Sequence, residues 1–190
     1  MRFIQLFFRN FLSLMMLLWV THPVHAEANL WQIWKQPGVQ AIMRHATAPG
    51  IGDPDNFKLG QCDTQRNLSP QGVEESKALG QKIKESGIKL DNIYSSQWCR
   101  CLDTARGLSV ANVIELPTLN SFFEERGKSS AQTAGLKEHI AKMDGTQKVL
   151  YVTHQVNTTA LTGVYPASGE IILFRMNKNQ TIEVLGRITP

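Results

Sequence analysis

In the stretch Ala41-Ile42-Met43-Arg44-His45-Ala46, an apolar run stops abruptly at an arginine and a histidine. The run that starts at Val39 is short and continuous, which predicts a buried strand with Arg44 and His45 at its carboxyl end. A loop rich in glycine and proline follows. In open α/β sheets, ligands bind beyond the carboxyl ends of the strands. The stretch therefore predicts a strand of such a sheet, with a functional site where the strand ends.

A second apolar run, Lys148-Val149-Leu150-Tyr151-Val152-Thr153, ends in the same way, in His154. If both strands belong to one α/β sheet, each delivers its histidine to the same edge of that sheet. We therefore predict one site that contains His45 and His154.

The rest of the chain alternates between predicted helices and strands. Ser69 is a good N-cap with Pro70 at the first helical position, and the helix predicted from there ends at Gly87. Apolar spacing also predicts a short helix at 30–34, strands at 93–95 and 113–116, a helix capped by Ser95 or Ser96 that contains Arg100, helices at 131–143 and 156–161, and a terminal hairpin of 170–176 and 182–188. This order predicts one domain, a three-layer α/β/α sandwich with a mostly parallel central sheet and some antiparallel edge strands.

The first 26 residues resemble a secretory signal peptide. Arg2 and Arg9 form a basic region without acidic residues, and the apolar segment 11–20 is too short to span a bilayer. Val24-His25-Ala26 then offers small residues to a signal peptidase. We expect residues 1–26 to be removed, which leaves a domain of residues 27–190 in the periplasm or the medium and off the membrane. An uncleaved membrane anchor is the alternative.

The charge of the chain gives little reason to expect a nucleic-acid partner. The formal net charge is +4, from 20 basic and 16 acidic residues, and two of the arginines lie in the predicted signal peptide. The sequence shows no basic stripe with interleaved aromatic residues. We therefore expect no binding to nucleic acid.

Cys62, Cys99 and Cys101 are the three cysteines of the chain. Export permits a disulfide, and the odd count leaves one thiol over. If Cys99 and Cys101 lie on one helix they point about 200° apart, so only one of them faces Cys62, and the sequence leaves open which one. Three free thiols are the second interpretation. A zinc site is the third, because one Cys-x-Cys pair and an isolated cysteine lack the usual paired spacing.

Arginines and histidines at these strand and helix ends favour phosphate chemistry. The guanidinium groups of Arg44, Arg66 and Arg100 suit phosphate oxygens. A histidine nitrogen can attack phosphorus and carry the phosphoryl group, provided that cations offset the charge on the transferring oxygens. The departing alkoxide needs an acid, for which Glu124 and Glu125 are available. The sequence lacks His-Glu-x-x-His and clustered carboxylates, so we expect neither a metal nor another cofactor.

Four motifs occur in a fixed order: Arg44-His45 after an apolar strand, Arg66-Asn67-Leu68-Ser69-Pro70-Gln71-Gly72 before a helix, Ser96-x-x-x-Arg100-x-x-x-Thr104-Ala105, and Thr153-His154. Each motif is weak by itself, and the four together are specific. In order and spacing they resemble the histidine phosphatase superfamily, with its phosphoglycerate-mutase-like fold, over about residues 39–160. Ala46 and Thr153 stand where the family usually has glycine.

The resemblance implies that His45 is the phosphorylated nucleophile and that Arg44, Arg100 and His154 complete the phosphate pocket. It also implies an acidic proton donor between the Arg100 helix and the His154 strand. We select Glu125 for that role, directly before Arg126, with Glu124 as the alternative.

Arg66, Asn67 and Glu124 are assigned to substrate binding. Phe122 and Phe123 either shape the pocket or belong to the core.

The expected function is hydrolysis of a phosphate monoester through a phosphohistidine, of the histidine acid phosphatase type. The chain resembles small exported members of the family most closely, and it lacks identifiable counterparts of the additional substrate contacts of the mutases. A catalytically inactive module that binds a phosphorylated ligand is the alternative. The expected partner is a small phosphorylated substrate, and the expected state is a monomer or a weak dimer. The sequence does not distinguish a sugar phosphate from a nucleotide, a phosphopeptide or a phosphohistidine.

Overall fold

Helices and strands alternate along most of the chain. The computed structural model describes residues 23–143 and 145–190, and within them it contains five α-helices and six β-strands. In chain order they are α1 Pro23–Lys35, β1 Gln40–Arg44, α2 Pro70–Glu85, β2 Asn92–Ser95, α3 Cys99–Leu108, β3 Asn112–Glu115, α4 Ser129–Ala141, β4 Val149–Thr153, α5 Gln155–Thr162, β5 Ile171–Met176 and β6 Ile182–Ile188.

The six strands form one mixed sheet in the order β3-β2-β4-β1-β5-β6. The four strands β3, β2, β4 and β1 are mutually parallel. A helix lies in sequence between each of these strands and the next one along the chain, and such a crossover is what parallel strands need. The terminal hairpin of β5 and β6 adds two antiparallel strands beside β1. The predicted mostly parallel sheet with antiparallel edge strands is confirmed.

Two separate apolar cores cover the two faces of this sheet. On one face, Trp34 of α1, Ile83 of α2 and Leu108 of α3 pack against alternate residues of the central strands. On the other face, the apolar residues of α4 and α5, such as Leu136 and Leu161, pack against the intervening strand residues. Successive side chains of a strand point to opposite faces, so one buried strand serves both cores. The three-layer sandwich is therefore confirmed.

The packing of α2 against its neighbours depends on two helical glycines. A Cβ atom on Gly80 would lie 2.0 Å from the carbonyl oxygen of Leu108, at the end of α3. A Cβ atom on Gly72 would lie 2.2 Å from the carbonyl oxygen of Thr47, in the loop after β1. Both contacts are too short for any side chain. Glycine therefore lets α2 lie directly on α3 and on the start of the loop between β1 and α2, which we call the site loop.

Several element boundaries differ from the predictions. The predicted N-cap of α2 is confirmed, since the Ser69 hydroxyl accepts a hydrogen bond from the Gly72 amide. The N-cap of α3 is Trp98 rather than Ser95 or Ser96, and its side chain caps nothing. The first helix is longer than one or two turns, because α1 extends back to Pro23.

Most of the predicted signal peptide, residues 1–22, lies outside the described residues. In the described part of the chain, no helix combines the length and apolar character needed to cross a membrane.

Candidate active site

His45 and His154 meet at one edge of the sheet. They directly follow β1 and β4, which are adjacent parallel strands in which Arg44 pairs with Thr153. The His45 amide donates a hydrogen bond to the Thr153 carbonyl at 2.9 Å, which continues the ladder by one residue. The two buried imidazole rings approach edge to face, with 5.6 Å between their centroids.

Of the two ring nitrogens of His45, Nδ1 has a hydrogen-bond partner and Nε2 has none among the described residues. Its Nδ1 lies 2.8 Å from the carbonyl oxygen of Ala46. A carbonyl oxygen only accepts, so Nδ1 carries the proton and the lone pair lies on Nε2. Burial, reinforced by the charge of Arg100, lowers the pKa of His45 to about 3. The ring is therefore neutral near pH 7, as a nitrogen nucleophile has to be.

The His154 ring is oriented by hydrogen bonds on both of its nitrogens. Its Nδ1 lies 3.4 Å from Nη2 of Arg100, and its Nε2 lies 2.8 Å from the Ser96 hydroxyl. Because a guanidinium group only donates, Nδ1 is the acceptor and Nε2 carries the proton. The Ser96 hydroxyl then donates to Oδ1 of Asn120 at 3.3 Å. Burial, followed by the charge of Arg100, lowers the pKa of His154 well below its ordinary value.

Three arginines surround the histidine pair. Arg44 is half-buried and donates from Nη1 to the Pro166 carbonyl at 3.4 Å. Arg66 donates from Nε to the Gly52 carbonyl at 2.7 Å and from Nη1 to the carbonyl of Ala48, so its guanidinium also fastens the loop after β1. Burial first, and then repulsion from Arg100, lowers the pKa of Arg66.

Arg100 lies in the first turn of α3 with only 3% of its side chain exposed. Its guanidinium forms a two-pronged ion pair with Asp53, from Nη1 to Oδ1 at 2.7 Å and from Nη2 to Oδ2 at 3.1 Å. Burial would raise the pKa of the Asp53 carboxyl, but the hydrogen bonds and charge of Arg100 outweigh it and keep that pKa below the ordinary value. Sequence reasoning did not select Asp53, because Gly52-Asp53-Pro54 has the composition of an ordinary turn.

A cavity of about 870 Å³ opens above these groups. Its lining includes five predicted site residues at or near the histidine pair, namely Arg44, His45, Arg66, Arg100 and His154, and the two predicted carboxylates Glu124 and Glu125. Both carboxylates are exposed, and the Glu125 carboxylate pairs with the ammonium group of Lys128. Asn67 is not part of this lining. Its side-chain amide donates to the Cys62 carbonyl at 2.6 Å.

Aromatic side chains form part of the cavity wall. Phe57 from the loop after β1 stacks on Trp98 with 5.0 Å between ring centroids, and both line the cavity. Phe123 and Tyr165 also line it. Phe122, by contrast, is buried in the protein. Each of the two alternatives therefore holds for one residue: Phe123 lines the pocket, and Phe122 belongs to the interior.

One disulfide links the site loop to α3, as the first interpretation of the cysteines predicted. Cys62 bonds to Cys99, with 5.7 Å between their Cα atoms. Cys101 is free and fully buried, and its Sγ lies 3.5 Å from Nε2 of His154. Burial raises the pKa of the Cys101 thiol to about 12, so it remains a neutral group behind the site.

The arrangement combines a neutral nucleophilic nitrogen with preformed positive charge. His45 lines the cavity together with Arg44, Arg66 and Arg100, and the charges of all three arginines act on its ring. Such a space favours a compact anion with several oxygens, and it stabilises the negative charge that a transferring phosphoryl group carries.

The family comparison covers the part of the chain that carries Arg44, His45, Arg66 and Arg100. The family model described as histidine phosphatase superfamily (branch 1) matches residues 41–134. A 2,3-bisphosphoglycerate-dependent phosphoglycerate mutase of Enterococcus faecalis is 35% identical over 83 residues, which are 43% of this chain and 36% of the mutase. A second such mutase, of Lactiplantibacillus plantarum, is 32% identical over 83 residues with the same coverage. The chain therefore spans about a third of the length of the curated relatives that it matches.

Solved structures share the fold over most of the chain. The protein histidine phosphatase SixA in complex with tungstate aligns over 80% of this chain and 96% of its own, with a TM-score of 0.55 and 18% identity. A phosphoserine phosphatase of Entamoeba histolytica, in complex with phosphoserine, aligns over 78% and 95%, with a TM-score of 0.56 and 15% identity. The four motifs, the family match and this shared fold agree, and the chain belongs to the histidine phosphatase superfamily.

Proposed function

We propose that this protein is a phosphomonoester hydrolase that works through a phosphohistidine on His45. The observation that carries the proposal is the state of the His45 ring, whose Nε2 is free and unprotonated while its Nδ1 is held by the Ala46 carbonyl. Three arginines and His154 line the space next to that nitrogen, where the phosphoryl oxygens would lie.

In the proposed first step, the Nε2 lone pair attacks phosphorus, the bond from phosphorus to the ester oxygen breaks, and the leaving alkoxide takes a proton from a carboxylic acid. In the second step, water attacks the phosphohistidine, gives a proton back to that carboxylate and releases inorganic phosphate with a neutral His45. Protons and charge balance over the cycle, and the arginines offset the charge on the three peripheral oxygens in both steps.

Glu125 is the proposed proton donor, with Glu124 as its competitor. Both line the cavity from the segment that follows β3. The Glu125 carboxylate pairs with the ammonium group of Lys128, while the Glu124 carboxylate lies across the cavity next to Gly52. Glu125→Gln should slow alkyl phosphates, which need leaving-group protonation, more than aryl phosphates, which do not. Equal slowing of both substrate types would remove Glu125 from the role, and Glu124→Gln is the matched comparison.

The substrate is proposed only as a small phosphorylated molecule. The structural neighbours include proteins described as a protein histidine phosphatase and a phosphoserine phosphatase, which supports hydrolysis of a compact phosphate group. The additional substrate contacts of the mutases have no identifiable counterparts in this sequence, so we propose hydrolysis rather than mutase activity. The neutral state of His45 down to low pH suits an acid phosphatase.

We also propose that the chain is exported and cleaved after Ala26, and that it works in the periplasm or medium as a monomer or weak dimer. The disulfide between Cys62 and Cys99 supports an oxidising compartment. N-terminal sequencing of the exported protein should begin at Glu27. A sequence that begins at Met1 would support the membrane anchor instead.

The test of the central proposal is a panel of phosphomonoesters, including p-nitrophenyl phosphate, with the purified protein and its His45→Ala variant. We expect turnover by the wild type, a loss of about a thousandfold or more in the variant, and an acid-labile phosphoprotein after rapid quenching. Turnover that survives in His45→Ala would assign the nucleophile elsewhere. A wild type that binds phosphate but hydrolyses no ester would favour the inactive binding module.

A further inference from the structure

We propose that Asp53 is a positioning residue that sets which edge of the Arg100 guanidinium faces the phosphoryl group. The proposal rests on the phosphoryl chemistry proposed for His45. Asp53 belongs to the loop between β1 and α2, whereas Arg100 belongs to α3, so the pair joins two parts of the site that are distant in sequence.

Asp53 holds Arg100 end-on. Both carboxylate oxygens are used, one for each terminal nitrogen, at 2.7 and 3.1 Å. An end-on pair fixes both the position and the plane of a guanidinium group. The Asp53 side chain is 13% exposed and that of Arg100 is 3% exposed, so the pair is largely shielded from water.

The Asp53 carboxylate is itself anchored by donors that do not belong to Arg100. The backbone amide of Arg66 donates to Oδ1 at 3.1 Å. The indole Nε1 of Trp98 donates to Oδ2 at 3.0 Å. Each oxygen thus accepts one bond from Arg100 and one from elsewhere. These two further donors fix the position of the Asp53 carboxylate, and the carboxylate in turn fixes the position of the Arg100 guanidinium.

The hold by Asp53 leaves one edge of Arg100 for a ligand. The second hydrogen of Nη1 points to the Arg66 carbonyl at 3.2 Å. The other edge, formed by Nε and the second hydrogen of Nη2, has weak or no protein partners. Nη2 approaches Nδ1 of His154 at 3.4 Å, and the buried Nε has no acceptor among residues 23–143 and 145–190.

This remaining edge lies on the side of the histidine pair. Nη2 of Arg100 is next to His154, and the centroid of the His154 ring lies 5.6 Å from that of the His45 ring. A phosphoryl oxygen that approached His45 would meet this corner of the guanidinium. Asp53 therefore orients Arg100 toward the reacting group without occupying the edge that receives it.

A competing role for Asp53 predicts the opposite result. If the carboxylate stood in for substrate phosphate on Arg100, its removal would free the arginine and strengthen anion binding. If it positions Arg100, its removal lets the guanidinium rotate away and weakens anion binding. The two roles are distinguished by the direction of one measured change.

The experiment uses the purified chain and its Asp53→Asn variant, which keeps the size of the side chain and removes its charge. We expect the Kd for inorganic phosphate and for tungstate to rise about tenfold or more, with a fall in kcat for p-nitrophenyl phosphate of up to about a hundredfold. Asp63→Asn is the matched control, since Asp63 is an exposed carboxylate of the same loop outside the cavity lining. It should leave both quantities unchanged.

Unchanged or tighter anion binding by a folded Asp53→Asn protein would overturn the proposal. If that variant does not fold, Trp98→Phe decides the matter, because it removes one anchor of Asp53 and keeps a ring for stacking on Phe57. We expect it to raise the Kd for phosphate a few-fold, and an unchanged Kd would overturn the proposal. Anion binding is measured without turnover, so a wild type that hydrolyses no ester would refute the proposed function and still leave this comparison decisive.

Discussion

At the scale of single residues, the state of the two histidines follows from what their neighbours are able to donate or accept. The Ala46 carbonyl can only accept, so Nε2 of His45 carries the lone pair that the proposed nucleophile needs. The Arg100 guanidinium can only donate, so His154 presents Nδ1 toward the site and donates a hydrogen bond from its Nε2–H to the Ser96 hydroxyl. In the proposed reaction, the negative charge of a phosphoryl group would favour protonation of His154 Nδ1, which would then donate to a phosphoryl oxygen.

Ser96→Ala tests this assignment at His154. The variant removes the acceptor of the Nε2 proton, so the tautomer that leaves Nδ1 facing the site loses a hydrogen bond of about 1–3 kcal/mol. We expect kcat for phosphate esters to fall about five- to a hundredfold. The change in KM should be smaller, because the arginines still hold the anion. Steady-state kinetics on p-nitrophenyl phosphate measures both.

Ser95→Ala is the matched control for Ser96→Ala. Ser95 is the neighbouring buried serine, and its hydroxyl donates to the Ser96 carbonyl without contacting His154. If both variants lose the same activity, the effect comes from the packing of this turn. The hydrogen bond between Ser96 and His154 would then contribute nothing to catalysis.

At the scale of elements, the site is the junction between the loop after β1 and the start of α3. The Cys99 amide, which no residue of α3 itself can satisfy, donates to the side-chain oxygen of Gln65 at 3.0 Å. The Cys62–Cys99 disulfide and the stacking of Phe57 on Trp98 join the same two segments. The loop after β1 therefore caps the N-terminus of α3. The contacts that order the first turn of α3 also position Asp53 and Arg66 next to that turn.

Replacement of both bridged cysteines by serine should loosen this junction. Because the sequence separation between Cys62 and Cys99 is 37, loss of the bridge should lower the free energy of unfolding by about 2–4 kcal/mol. The loop should also place Asp53 and Arg66 less well, so we expect a several-fold rise in the Kd for phosphate. Denaturant unfolding and anion titration measure the two effects.

The control for the cysteine variant is reduction of the wild type with a thiol reagent. Reduction should reproduce both effects in the wild type and add nothing to the double variant, because the remaining Cys101 is already a free thiol. A double variant with normal stability and weaker phosphate binding would separate the two roles of the bridge. Normal values of both would show that the noncovalent contacts alone hold the loop.

At the scale of the whole molecule, sequence and structure agree where regular elements determine position. His45, His154 and Arg100 were predictable because they stand at strand ends and in a helix whose apolar spacing is clear. Asp53 was not, because its role depends on where a loop folds back across α3. Asn67 shares a motif with Arg66 but lies outside the cavity lining, since consecutive residues in an extended segment point in different directions.

The burial of His45 and His154 should also make the stability of the protein depend on pH. In the unfolded chain His45 takes up a proton near pH 6.5, whereas in the folded protein its pKa is about 3. Between these values the unfolded state binds more protons, so the free energy of unfolding decreases as the pH falls from 7 to 4.5. His154 contributes in the same direction, because its pKa is also lowered in the folded state.

His45→Gln should flatten this dependence, because glutamine is polar but does not titrate. Near pH 5 we expect the slope of the free energy of unfolding against pH to fall by about 1 kcal/mol per pH unit, close to the value for one proton. Urea unfolding at half-unit steps from pH 7 to 4.5 measures the slopes of wild type and variant. The disulfide and the carboxylates are common to both proteins, so their contributions cancel in the difference. Parallel curves would mean that the pKa of His45 is the same in the folded and unfolded states, which would contradict its lowered pKa in the folded protein.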